Sequence, residues 1–183
     1  MTTRFEPGGT TSATPGSCDV EALAREHGRL VLRAAYRILG DAAQAEDVQQ
    51  EVFLRLIETD RKGVASWPAF LTASGTRLAI DVLRRRQRWW ALLPQWRAQA
   101  EVTAESPETL GIETEQATHL RQALARLSRR EAQCFALRYL EGLDLPEVAA
   151  ELRLTENNVG VILHRARRRL QAILDDTQEE VRA

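Results

Sequence analysis

Residues 144–170, DLPEVAAELRLTENNVGVILHRARRRL, decide how this chain is to be read. Asp144 and Glu147 have the spacing of a capping box, in which each side chain takes the other residue's backbone amide, and they predict a short helix through Leu152. Arg153 and Leu154 make a tight connection. Thr155 then caps a second helix, whose Val159, Leu163, Ala166 and Leu170 recur at three and four residues and so face inward. Two helices joined this tightly form a helix-turn-helix, a motif that sets the start of its second helix against base edges in the major groove. Asn157 and Asn158 occupy that start. Asparagine can pair bidentately with adenine, Val161 can touch a thymine methyl, and the amides at the Thr155 end favour a phosphate. His164, Arg165 and Arg168 complete the candidate set. The plainer reading stays open: the asparagines satisfy the helix end, and Arg165, Arg167, Arg168 and Arg169 form a solvated face.

Upstream, the chain reads as helix throughout. Asp19 caps a helix with apolar positions Val20, Leu23, His27, Leu30, Val31, Ala34, Ile38 and Leu39, and Gly40 stops it. Asp41 opens DAAQAEDVQQEVFLRLIE, which sets Ala45, Val48, Val52 and Leu56 on one stripe and leaves Asp47, Gln50, Glu51 and Arg55 mostly outside it. A loop from about Thr59 to Pro68 leads to a helix from about Ala69 to Trp90, with Phe70, Leu71, Leu78, Val82 and Leu83 as its core residues. Residues 91–115 read as a linker, since Pro94, Pro107 and Gly111 interrupt an acidic stretch without a sustained apolar period. A second helical block starts near Gln116. In it, Ser128 and Glu131 form a capping box before AQCFALRYLEG, whose Gly142 suits a helix stop. No convincing strand alternation and no solenoid repeat is present.

The fold class is therefore all-α: two small helical domains joined by a flexible acidic linker. The expected boundaries are a disordered tail over residues 1–18, rich in Gly, Thr, Ser and Pro, a first domain over 19–90, the linker over 91–115, a second domain over 116–175 and an acidic tail over 176–183. With 183 residues, 44% of them hydrophobic, the chain can bury a core. No apolar run approaches the ~20 residues that span a bilayer, and the start lacks the apolar middle of a signal peptide. The expectation is a cytoplasmic protein without membrane insertion. Cys18 and Cys134 lie far apart with no CxxC and no nearby histidine pair, so neither a disulfide framework nor a zinc site is indicated.

A net charge of −1 conceals segregation. Residues 77–97 carry Arg77, Arg84, Arg85, Arg86, Arg88 and Arg97 against Asp81 alone, and residues 153–170 carry five arginines against Glu156. Residues 98–116 hold five glutamates and no basic residue. Positive charge thus collects in two separated places.

The segment GLDLPEVAAELRLTENNVGVILHRARRRL resembles region four of the extracytoplasmic-function sigma factors, the small bacterial promoter-specificity subunits of RNA polymerase. YRILGDAAQAEDVQQEVFLRL resembles the polymerase-binding helices of sigma region two, and FLTASGTRLAIDVLRRRQR the promoter-melting segment that follows. The resemblance covers roughly Val20 to Leu174, in order and spacing. It implies a non-catalytic factor without a cofactor, whose partners are core RNA polymerase, through its clamp coiled coil and flap, promoter DNA and a cognate anti-sigma factor.

By that resemblance, Asp47, Gln50 and Glu51 bind the polymerase; as residues alone they are also ordinary helix surface. Ser66, Trp67, Arg77, Arg84, Arg85, Arg88 and Trp89 bind the minus-ten element. Arginines there neutralise phosphate and an exposed tryptophan stacks on an unpaired base for ~1–3 kcal/mol. Trp90 either stacks likewise or packs beneath arginine stems. Thr155, Asn157, Asn158, Val161, His164, Arg165 and Arg168 face the minus-thirty-five element, and the acidic linker threads polymerase channels. Two positions depart from the family pattern. Arg77 stands where an asparagine often precedes the aspartate by four residues, and Gly160, Val161 and Ile162 replace lysine, serine and arginine, so the promoter sequence does not follow. Two rivals remain. One is an ordinary helix-turn-helix regulator with a dimerising or sensing N-terminal block. The other is an enzyme, against which stand dispersed His27, His119 and His164, the lack of a Gly-rich phosphate loop, and no ligand set completing Glu46, Asp47 and Glu51.

Overall fold

The computed structural model describes residues 19–58, 63–92 and 114–182, with side chains at 90–92 and 176–182 excepted. The expected tail at 1–18, nearly all of the linker and the side chains of the acidic tail lie outside the described residues. What is described contains seven α-helices and no strand.

Helix α1 spans Val20–Leu39 and begins where Asp19 accepts the Ala22 amide at 3.0 Å. It ends at Gly40, whose φ of 66° is the left-handed conformation that suits glycine and lets its amide bond back to Tyr36. A β-carbon at Gly40 would also lie 2.6 Å from the Arg121 guanidinium, which crosses from the second block. Helix α2, Ala42–Glu58, is capped by Asp41, which takes the Gln44 amide at 2.9 Å. Its expected stripe of Ala45, Val48, Val52 and Leu56 is buried. Helix α3, Trp67–Leu92, starts earlier than periodicity predicts, because the Ser66 hydroxyl accepts the Ala69 amide and Pro68 fits the first turn, and it runs on to Leu92. Of the α3 residues read as core, Leu71 and Leu83 are buried, while Phe70, Leu78 and Val82 lie half-buried at the edge.

Helix α4, Glu115–Arg126, is capped by Thr114, and α5, Arg129–Phe135, opens with the Ser128–Glu131 capping box. Periodicity carried α5 straight on to Gly142. Instead the chain widens into a π-helical turn over Ala136–Leu140, with the Glu141 amide bonded to Ala136. That turn leaves the Leu140 carbonyl to accept the Arg37 guanidinium of α1 at 2.9 Å. Gly142, at φ 77°, ends it. Helix α6, Leu145–Leu152, has the expected Asp144–Glu147 box, and α7 runs from Glu156 to Arg182.

Helices α1, α2 and α3 pack together around Val31, Val52, Leu56 and Leu71. The α5–α6–α7 unit closes over Cys134, Leu137, Val148, Leu152, Val159 and Leu163. Burial pushes the Cys134 thiol up to about 11 despite nearby Arg130. A third cluster joins the blocks, with Ile38, Leu39, Ile80 and Leu83 meeting Leu124, Leu127, Ala136 and Ala166.

Candidate nucleic-acid and partner interfaces

The N-terminal end of α7 is built by one hydroxyl and one inward stripe. Thr155 Oγ accepts the Asn158 amide at 3.3 Å, which fixes where the helix starts. Val159, Leu163, Ala166 and Leu170 then anchor the helix in the core. Thr155, Asn157, Asn158, Val161, His164, Arg165 and Arg168 are thereby turned outward, and all are exposed. Asn157, Val161, His164 and Arg168 follow one another at four, three and four residues, so they form a single ridge, with Arg165 beside it. Val161 keeps 43% of its surface in solvent, free for an apolar contact.

The four arginines that look alike in sequence divide by role. Arg169 pairs with the buried Glu131 at 2.7 Å. Arg167 bonds to the Tyr139 hydroxyl and lies 4.9 Å over its ring. Among the described residues Arg165 and Arg168 make no ion pair, and they are the two on or beside that ridge. Burial raises the Glu131 carboxyl, but the Ser128 hydrogen bonds and Arg169 outweigh it and hold that group below the usual carboxylate value.

The seven residues assigned to the minus-ten element do not form one patch. Ser66 and Trp67 stand at the start of α3, where Trp67 packs edge-on against Phe70 at 5.9 Å. Trp89 lies 22 residues further along, roughly 33 Å by helical rise. Near that far end Arg85, Arg88 and Trp89 share an exposed face, with Trp89 60% exposed above a 300 Å³ pocket lined by Gln44, Val82, Arg85 and Arg86. Between the ends, Arg77 donates to the Glu151 carbonyl at 3.0 Å and to Ser74, and Arg84 donates to the Leu127 carbonyl. The side chain of Trp90 is outside the described residues.

On α2, Asp47 and Gln50 are exposed, and Glu51 is half-buried and paired with Arg55 at 2.6 Å. Sequence reading missed the continuation of this face: Leu54 and Ile57 are 54% and 67% exposed. The signal was present, since both fall off the buried stripe of α2, yet apolar residues were scored only as core. Among the described residues, no cluster of His, Cys, Asp and Glu could hold a metal ion, and no helix is long and apolar enough to cross a membrane.

Family models give the same division. Residues 23–89 match the model of sigma-70 region 2, and residues 118–170 that of sigma-70 region 4. The ECF RNA polymerase sigma factor SigE of Mycolicibacterium smegmatis is 29% identical over 172 residues, which are 93% of this chain and 66% of that protein. SigL of Mycobacterium tuberculosis, another ECF RNA polymerase sigma factor, is 29% identical over 160 residues, 86% of this chain and 89% of its own. Against SigE, the probable ECF factor SigI of M. tuberculosis and BldN of Streptomyces coelicolor, this chain spans 66%, 54% and 56% of their lengths. Among solved structures, CnrH in complex with the cytosolic domain of CnrY shares the fold at a TM-score of 0.56 and 21% identity, over 86% of this chain and 88% of that one. RpoE of Bartonella quintana, in complex with the anti-sigma factor NepR, does so at 0.50 and 18%, over 85% and 98%.

Proposed function

This chain belongs to the sigma-70 family, in its extracytoplasmic-function group, and we propose that it binds core RNA polymerase and directs promoter-specific initiation without catalysing a reaction itself. The observation that carries the reading is the ridge on α7: one inward apolar stripe holds the helix while asparagines, a valine and two uncommitted arginines face out together. Such a ridge reads base edges with its N-terminal end and holds phosphates with its arginines, and the minus-thirty-five element is its target.

The second contact is the far end of α3. Arg85 and Arg88 draw the phosphates of a nontemplate strand there, and exposed Trp89 offers a stacking platform for a base leaving the duplex. Asp47 and Gln50 on α2, continued by Leu54 and Ile57, form a docking face of acid, amide and apolar groups for the clamp coiled coil, and the second block meets the flap. The place of action is with the polymerase, in the cytoplasm. Membership of the family also brings an inhibitory partner of the anti-sigma kind.

Mapping transcript starts after induced expression tests the reading. New starts should share two upstream elements at a constant separation, and should vanish in an Asp47→Ala, Glu51→Ala variant that keeps its helical circular dichroism. A purely regulatory helix-turn-helix protein would instead alter output from existing starts.

A further inference from the structure

Each glycine among the described residues but one has a reason inside the chain. Gly40, Gly63 and Gly142 stand at positive φ. Gly28 in α1 and Gly75 in α3 lie where helices close on one another: a β-carbon would stand 3.0 Å from Gln49 Nε2 at the first and 2.9 Å from Val31 Cγ1 at the second. Gly160 has neither reason. It is an exposed residue within α7, and a β-carbon there would meet nothing within 4 Å. Glycine inside a helix is destabilising relative to alanine, so the chain keeps a weakness here that its own packing does not require.

The position lies on the face that the proposed function turns to DNA. By helical spacing, Asn157, Val161, His164 and Arg168 centre on one line, opposite the buried stripe of Val159, Leu163, Ala166 and Leu170. Gly160 sits roughly 70° to one side of that line and Arg165 roughly 70° to the other. A major groove is about 12 Å wide and a helix with its side chains about 10–12 Å across, so a helix whose ridge meets base edges has its flanks against the two strands. The Arg165 flank offers a guanidinium to phosphate. Along α7 the other flank carries no uncommitted cation: Glu156 stands one turn before Gly160, and Arg167, two turns on, is engaged by Tyr139. What that flank offers at Gly160 is bare backbone.

Resting on the sigma reading above, we infer that Gly160 is the point at which the sugar edge of one strand of the minus-thirty-five duplex packs directly on the α7 backbone. The contact is steric and uncharged, deoxyribose carbons against the Gly160 Cα with no side chain between them. It draws α7 towards that strand and sets how far Asn157 and Val161 reach into the groove, while Arg165 spans to the opposite strand. A side chain at this position would hold the helix off and spoil the reach of the ridge.

Two measurements on the full-length chain test this. The first is the melting temperature of the free protein. The second is fluorescence anisotropy of holoenzyme, reconstituted from core polymerase, on a labelled duplex carrying the upstream element found by start mapping, over a series of salt concentrations. Gly160→Ala should melt about 2–4 °C higher than wild type. It should nonetheless bind the duplex about tenfold more weakly, the scale of an overpacked contact, and Gly160→Leu should bind more weakly still. The salt slope should stay that of wild type in both, whereas Arg165→Ala should lower it by about one. Hydroxyl-radical footprints of Gly160→Ala should lose sugar protection on one strand only. Undiminished affinity in Gly160→Ala, a loss that carries the salt slope down with it, or a lower melting temperature would each overturn the inference and leave the sigma reading standing. Wild-type holoenzyme that ignores the element would overturn both.

Discussion

Arg153 sits at φ 54°, the one non-glycine residue in the left-handed region among those described, and it closes α6 by bonding its amide to Ala149 and Ala150. An L-residue there costs ~1–2 kcal/mol, against ~0.5–1 kcal/mol of extra chain entropy for glycine. Arg153→Gly should therefore raise the denaturation midpoint by about 0.5–1 kcal/mol equivalent, and a drop would mean that the arginine side chain holds the turn. Two buried carboxyls should respond to pH with opposite sign. Burial raises Glu141 despite the Arg37 bond and the neighbouring Arg33, so its contribution is full below the ordinary 4.5 and is lost as pH rises through its raised value. Glu131 is held low, so its contribution is present above 4.5 and is lost as pH falls through its lowered value. Relative to wild type, Glu141→Gln should gain stability with rising pH and Glu131→Gln should lose it, as read from thermal midpoints across that range.

At the scale of elements, the proposed function has α7 separate reading from holding. Asn157→Ala should weaken a minus-thirty-five duplex by about 1–3 kcal/mol at one base position, and Arg168→Ala should weaken all sequences alike. Neither should change the melting temperature, because both side chains are exposed. Arg169→Ala should do the reverse, leaving Glu131 buried without its cation and costing ~1–3 kcal/mol of stability while DNA binding persists. Differential scanning fluorimetry beside anisotropy separates the three. The helix-turn-helix was legible in sequence because local chemistry specifies it: a capping box, a threonine cap and apolar positions recurring at three and four residues. The second face of α3 was not. Its Ala73 is a small residue that periodicity scores as neutral, and it is buried among Cys134, Leu137 and their neighbours, distant in the chain. The π-helical turn escaped for a like reason, since its freed carbonyl is satisfied by Arg37 from α1. The minus-ten set follows from the family resemblance, and helical rise puts its Trp67 and Trp89 at opposite ends of one rod.

For the whole molecule, the account is a chain with two proposed DNA-facing surfaces, on α7 and on the far end of α3, and a proposed docking face on α2. The near-neutral net charge fits that arrangement, because two stretches carry a local excess of arginine while acids elsewhere balance it. Runoff transcription is the most direct test: core polymerase freed of sigma, the full-length chain, and templates carrying start regions mapped after its expression. Accurately positioned transcripts are expected only when both proteins are present, and should fall when either upstream element is scrambled. Folded protein that yields no positioned product on any such template, or product that survives scrambling of both elements, would contradict the account.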